Sequence, residues 1–121
     1  MDGDKQMNRP ERVKGETPRL RTGCGWIYIT ESLPEEEYKE VFCRLGKSGG
    51  CAAAFLDGIG RLITHSLNSE VVTKETIIRS FSGIQCPNPQ WNGNVQVLSC
   101  VDAIAKVLKS NKEEKEDETN R

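Results

Sequence analysis

A change of hydrophobic periodicity across residues 46–50 (Gly-Lys-Ser-Gly-Gly) constrains this chain more than any single motif. Before it, apolar residues alternate with a period of two, the pattern of a half-buried strand. Ile27 and Ile29 alternate with Trp26, Tyr28 and Thr30 within Gly25–Glu31, and Val41, Cys43 and Leu45 share one face of Tyr38–Leu45. Pro18–Thr22 is a shorter candidate strand, separated from the next by the tight turn Gly23-Cys24-Gly25. After the break the period becomes helical: from Cys51 onward, Phe55, Leu56, Ile59, Leu62, Ile63 and Leu67 form one apolar stripe. Gly58 and Gly60 are poor helix formers, so their presence predicts close packing against a neighbouring element. A second helix follows Thr73 as N-cap, buries Ile77, Ile78 and Phe81, and stops at Ser82-Gly83. Gln85–Val95, rich in Pro, Asn and Gly, predicts an irregular loop, and Val95–Leu98 a brief fourth strand. The last helix begins with Ser99 as N-cap, Asp102 at its third position and Ala103, Ile104, Val107 and Leu108 as its buried stripe. Strands first and helices after predict an α+β fold, a small antiparallel sheet of three to four strands followed by three helices, and not a doubly wound parallel sheet.

Composition sets the boundaries. Residues 1–14 and 110–121 carry almost no apolar side chains and read as disordered tails around one domain at 15–109. The 17 Lys+Arg nearly balance the 18 Asp+Glu, which argues against nucleic acid or an anionic membrane as partner. No apolar run approaches the roughly 20 residues of a membrane span, and the polar N-terminus is no secretory signal. The expectation is a cytoplasmic protein, where five cysteines point to metal ligands, redox groups or core residues more than to a disulfide framework.

LGKSGGC (Leu45–Cys51) invites a phosphate-loop reading, because free N–H groups at a helix start attract anions. The nucleotide motif needs a glycine five residues before the glycine of its Gly-Lys pair; counting back from Gly46 lands on Val41, inside the strand, and the parallel-sheet context is absent. A weaker anion site built on Lys47, Ser48, Gly49 and Gly50 remains as an expectation beside the simpler role of a tight turn.

Four of the five cysteines sit where a ligand or reactive thiol is useful. Cys24 is in a glycine turn, Cys51 and Cys100 open helices, and Cys86 precedes a proline in a loop. A helix N-terminus favours thiolate, so Cys51 and Cys100 are expected to be more acidic than a free cysteine. Four thiolates suit zinc or an iron–sulfur cluster, yet no C-x-x-C pair is present, and four unrelated small apolar residues fit the spacing equally well. Cys43, alternating with Val41 and Leu45, reads as core. His65 falls on the polar side of its helix, and Trp91 reads as a packing anchor of its loop ahead of a recognition aromatic.

TGCGWIYIT (Thr22–Thr30), LGKSGGCAAA (Leu45–Ala54), GRLI (Gly60–Ile63), GIQCP (Gly83–Pro87) and LSCVDAIAK (Leu98–Lys106) together resemble the TSCPD domain. That domain occurs at the C-terminal end of many adenosylcobalamin-dependent ribonucleoside-diphosphate reductases and in short stand-alone proteins. The resemblance spans about Arg12 to Leu108. It implies that Cys24, Cys51, Cys86 and Cys100 converge on one metal site, zinc foremost. The sequence departs from the name-giving motif at Leu98 and Val101 while keeping Ser99, Cys100 and Asp102. The implied function is a metal-binding accessory module linked to deoxyribonucleotide synthesis. A reductase catalytic subunit would be its partner, and adenosylcobalamin would be bound only by that partner. Two alternatives remain: a thiol redox protein that reduces the reductase through Cys51 and Cys100, and a nucleotide or anion sensor at the glycine loop. The chain has no room for the large radical-bearing barrel that ribonucleotide reduction requires.

Overall fold

The computed structural model describes residues 8–46 and 50–120. Its elements are β1 (Gly15–Glu16), β2 (Arg19–Thr22), β3 (Gly25–Ser32), β4 (Val41–Leu45), α1 (Gly50–Asn68), α2 (Lys74–Phe81), β5 (Gln90–Asn92), β6 (Val95–Val97) and α3 (Cys100–Asn120). The fold is α+β with a small antiparallel sheet, as the periodicities predict.

Strand β3 is central. β4 pairs along one stretch of it, Ile27 to Leu45 through Glu31 to Val41, while β2 and β1 pair with Gly25–Tyr28 and Glu31–Ser32. The register is continuous from β1 to β2, so these are one strand interrupted at Thr17-Pro18. Pro18 has no N–H to donate, although its carbonyl still accepts from Ile29 N–H at 3.1 Å. β4 begins later than the alternation predicts, because the Asn68 side chain takes both backbone groups of Lys39. Thr64, one turn earlier on α1, likewise takes the N–H and C=O of Val41 at 2.8 and 3.1 Å. Two polar residues at i, i+4 thus attach α1 to an otherwise unpaired sheet edge.

One face of the sheet buries Ile27, Ile29, Val41, Cys43 and Leu45 against Leu56 and Ile63 of α1, Ile77 of α2, and Ala103, Ile104, Val107 and Leu108 of α3. Gly60 allows the closest approach: a Cβ there would lie 3.0 Å from the Val41 carbonyl oxygen and 3.2 Å from Cys43 N. Gly58 has no such role, since nothing lies within 4 Å of the equivalent position. Phe55 and Leu62, expected in the buried stripe of α1, are instead 72% and 66% exposed. They satisfy the helical period but fall on the side of α1 turned away from β4.

Thr73 caps α2 as expected, its Oγ1 accepting from Thr76 N–H at 3.2 Å. The brief strand expected at Val95–Leu98 is β6, and the segment expected to be irregular contains its partner β5, the two forming a hairpin with Gly93 at φ 64° in its two-residue loop. That hairpin is fixed to the main sheet by Asn92, which accepts from Arg21 N–H at 2.8 Å and donates to Arg21 C=O at 3.1 Å. Arg9, in the stretch assigned to a tail, makes a two-pronged contact with the Glu40 carboxylate at 2.7 and 3.2 Å. The bounds of α3 take in residues 110–120, also assigned to a tail. Lys and Glu are good helix formers and extend a helix that core packing has already nucleated.

Candidate metal centre

Three segments meet where β2 turns into β3. The first is the Thr22–Gly25 loop, closed by Thr22 Oγ1, which accepts from Cys24 N–H at 3.1 Å and donates to Gly25 C=O at 2.8 Å. The second carries Cys86, whose N–H bonds Leu98 C=O at 2.9 Å and whose sulfur accepts from Asn88 N–H at 3.4 Å. Gly23 lets these two segments touch: a Cβ there would lie 2.6 Å from Asn88 O and 3.3 Å from Cys86 Sγ.

The third is the start of α3. Ser99 Oγ accepts from Asp102 N–H at 3.0 Å, the expected cap, and donates to Ile84 C=O at 2.6 Å. The fully buried Asp102 carboxylate accepts from Gly83 N–H, Leu98 N–H and Lys106 Nζ at 2.9, 2.9 and 2.8 Å. Burial alone would push its carboxyl up, but these donors together hold it below the ordinary range. One side chain therefore fastens the end of α2, the loop before α3 and the first turn of α3 together.

The thiol of Cys100 lies at the centre of this meeting point, half-buried and 3.3 Å from Thr22 Oγ1. Burial pushes it up, the Thr22 hydroxyl works against that, and the nearby Cys24 and Cys86 thiols raise it further. This corrects the expectation of an acidic Cys100: dehydration and like-charge neighbours outweigh the helix terminus. Cys43 is in the core as expected, and burial pushes its thiol up to about 12. His65 is exposed on α1, also as expected. Trp91 is 60% exposed and not the packing anchor its loop suggested.

The TSCPD domain family model matches residues 4–112 of the chain. The chain belongs to the TSCPD domain family. No curated protein and no solved structure matches it.

Of the four cysteines that the TSCPD resemblance singles out, Cys24, Cys86 and Cys100 are neighbours. Cys51 stands exposed in the first turn of α1 and interacts with none of them. Among the described residues, no three His, Cys, Asp or Glu side chains are gathered closely enough to hold a metal ion. Lys47, Ser48 and Gly49 of the expected anion loop lie outside the described residues; Gly50 opens α1 at φ 84°. No helix among the described residues is long and apolar enough to cross a membrane. Sequence reasoning missed Thr22 and Gly23 as parts of this site. The signal was present in TGCG, since a threonine before a two-residue turn is placed to bond the turn's own backbone.

Proposed function

We propose that this TSCPD domain is a four-cysteine metal-binding module, with Cys24, Cys51, Cys86 and Cys100 as ligands and zinc as the metal. It would serve a ribonucleoside-diphosphate reductase in the cytoplasm. The observation that carries the reading is the Cys100 thiol, held by Thr22 and flanked by the thiols of Cys24 and Cys86. Cys51 belongs to the same end of the sheet by topology: β4 runs antiparallel to β3, Leu45 pairs with Ile27 near the Thr22–Gly25 loop, and α1 follows from there. Metal binding would draw the fourth thiolate in and release protons from all four. The raised proton affinity of Cys100 suits a thiol awaiting a cation, because a metal cancels the like-charge cost that holds the proton on.

Bound zinc would supply a structural cross-link between hairpin, loop and two helix starts, and no redox chemistry. The chain's own residues position the thiols: Gly23 by its lack of a Cβ, Thr22 by its hydroxyl, Asp102 by fixing the turn that carries Cys100. Adenosylcobalamin and the radical chemistry would belong to the catalytic subunit of the reductase, the proposed partner in deoxyribonucleotide synthesis. Serine variants at Cys24, Cys51, Cys86 and Cys100, compared with Cys43→Ser, test the ligand set. Each of the four is expected to lower zinc retention against a competing chelator, while Cys43→Ser lowers stability alone. Equal retention by all five variants would overturn the assignment.

A thiol redox role has one observation in its favour, the nearness of the Cys24 and Cys100 thiols where the three segments meet. It moves the candidate pair from Cys51–Cys100 to Cys24–Cys100. In such a step the two thiols would give up two electrons and two protons to a disulfide of the acceptor, ending joined as a disulfide themselves. The raised proton affinity of Cys100 disfavours it as attacking thiolate, which leaves Cys24 as the nucleophile. Mild oxidation that leaves every thiol titratable would dismiss this role.

A further inference from the structure

The helices cover one face of the sheet; the other carries a row of cations and aromatic rings. Arg21 pairs with Trp26, Arg19 with Tyr28, and Tyr28 with Arg44, so residues of three strands stand side by side on the outer face. The guanidinium carbons of Arg19 and Arg21 lie 4.0 and 4.8 Å from the Trp26 ring centre, and that of Arg44 lies 5.5 Å from the Tyr28 ring. Phe42 extends the row on β4 and is 49% exposed. None of these three arginines is in an ion pair among the described residues, whereas Arg9, Arg61, Lys74 and Lys106 all are.

The chain's near-neutral total conceals a strong local asymmetry. No Asp or Glu occurs between Thr17 and Thr30 or between Val41 and Leu56, the stretches that build this face. The acidic residues Glu31, Glu35, Glu36, Glu37 and Glu40 are all at or beyond the opposite end of β3 and β4. Among the described residues, the patch therefore holds three positive charges outside any ion pair. Same-face residues on β2 are about 7 Å apart, and β2 and β4 are separated by about 10 Å across β3. At its end, a concavity of about 340 Å³ is lined by Arg21, Trp26, Gln90 and the Thr22–Gly25 loop.

We propose that this open face binds single-stranded nucleic acid. The guanidiniums of Arg19, Arg21 and Arg44 would contact successive phosphates, and unpaired bases would stack on the rings and guanidinium planes beside them. The aromatic component decides between polyanions. An acidic peptide would satisfy the arginines but leave the flat ring surfaces unused, and a duplex keeps its base faces stacked inside. A single strand offers both charge and π-faces. Stacking on Trp26 and Tyr28 also pre-orders the arginines, which lowers the entropy lost when a phosphate is bound.

Fluorescence anisotropy of labelled oligothymidylate and oligouridylate of about 12 nucleotides with the intact chain tests the proposal. Saturable binding is expected at low salt, weakening with salt along a log–log slope of about −2, as three phosphate contacts at roughly 0.7 each require. Arg44→Gln, an exposed change, is expected to weaken binding and reduce the slope by about 0.7. Trp26→Leu is expected to weaken it at least about fivefold, the low end for losing one stacking contact. Preference for one of the two oligonucleotides assigns the site to DNA or to RNA. No saturation up to about 100 μM at low salt would overturn the proposal. Competition by polyglutamate or duplex DNA as effective as by the single strand would do so equally, and needs no variant to fold.

Discussion

The carboxylate of Asp102 accepts a hydrogen bond at 2.9 Å from the backbone N–H of Gly83, nineteen residues earlier in the chain. The same side chain accepts from Leu98 N–H and pairs with Lys106, so a single buried anion closes three otherwise unmatched donors. Asp102→Ala strips all three at once and is expected to cost about 3 kcal/mol, with Asp102→Asn in between because the amide keeps one acceptor. Urea denaturation measures this; a loss under about 0.5 kcal/mol for the alanine variant would contradict the role given to Asp102.

Glu31 makes the opposite electrostatic case. It pairs with Lys74, yet its Oε1 is buried without a hydrogen-bond partner among the described residues. Burial pushes its carboxyl above the ordinary 4.5, and the Lys74 contact offsets only part of that. A carboxyl with a raised folded-state pKa is stabilising when protonated, and that advantage is lost as pH rises through the folded value. The stability of wild type relative to Glu31→Gln is therefore expected to fall as pH rises from the ordinary carboxylate range toward neutrality. Thermal melts across that range decide it. A relative gain toward neutrality would mean that the Lys74 ion pair dominates instead.

Two glycines two positions apart on α1 are expected to respond with opposite signs. Gly60→Ala drives a methyl against the Val41 carbonyl and Cys43 N–H of β4 and should destabilise by about 1–3 kcal/mol. Gly58→Ala meets nothing within 4 Å and should stabilise by roughly 0.5–1 kcal/mol through backbone entropy. Equal effects in denaturant titrations would contradict the packing of α1 on β4.

These glycines also mark where the sequence is legible. Periodicity locates the main strands and helices because each buries one face, and the caps at Thr73 and Ser99 are local chemistry that a short motif carries complete. Periodicity cannot tell which of two glycines faces a neighbour, nor that Phe55 and Leu62 turn away, because it has no knowledge of the partner element. Strand β5 is hidden for another reason: at three residues it is too short for an alternation, whereas its partner β6 lies within Val95–Leu98, where a brief strand is expected. At the candidate site, Cys24, Cys86 and Cys100 were each noticeable from local context. Their proximity depends on contacts between Gly23 and Asn88 and between Asp102 and Gly83, which join positions distant in the chain and follow no repeat.

Gly23 offers a change at the site that leaves every cysteine in place. A Cβ there would lie 2.6 Å from the Asn88 carbonyl, so Gly23→Ala must separate the Cys86 loop from the Cys24 loop. The expected outcome is weaker zinc retention, about tenfold or more, with circular dichroism close to wild type, as for other changes that misplace ligands without removing them. Unchanged retention would indicate that the two loops need not touch to hold a metal.

Whether these cysteines hold a metal is decided by elemental analysis of chain purified without metal-affinity steps. About one zinc per chain is expected, with no visible absorption band, and loss of the metal together with a marked drop in melting temperature on chelation. A metal-free chain that is fully folded and melts at the same temperature with and without chelator would contradict it.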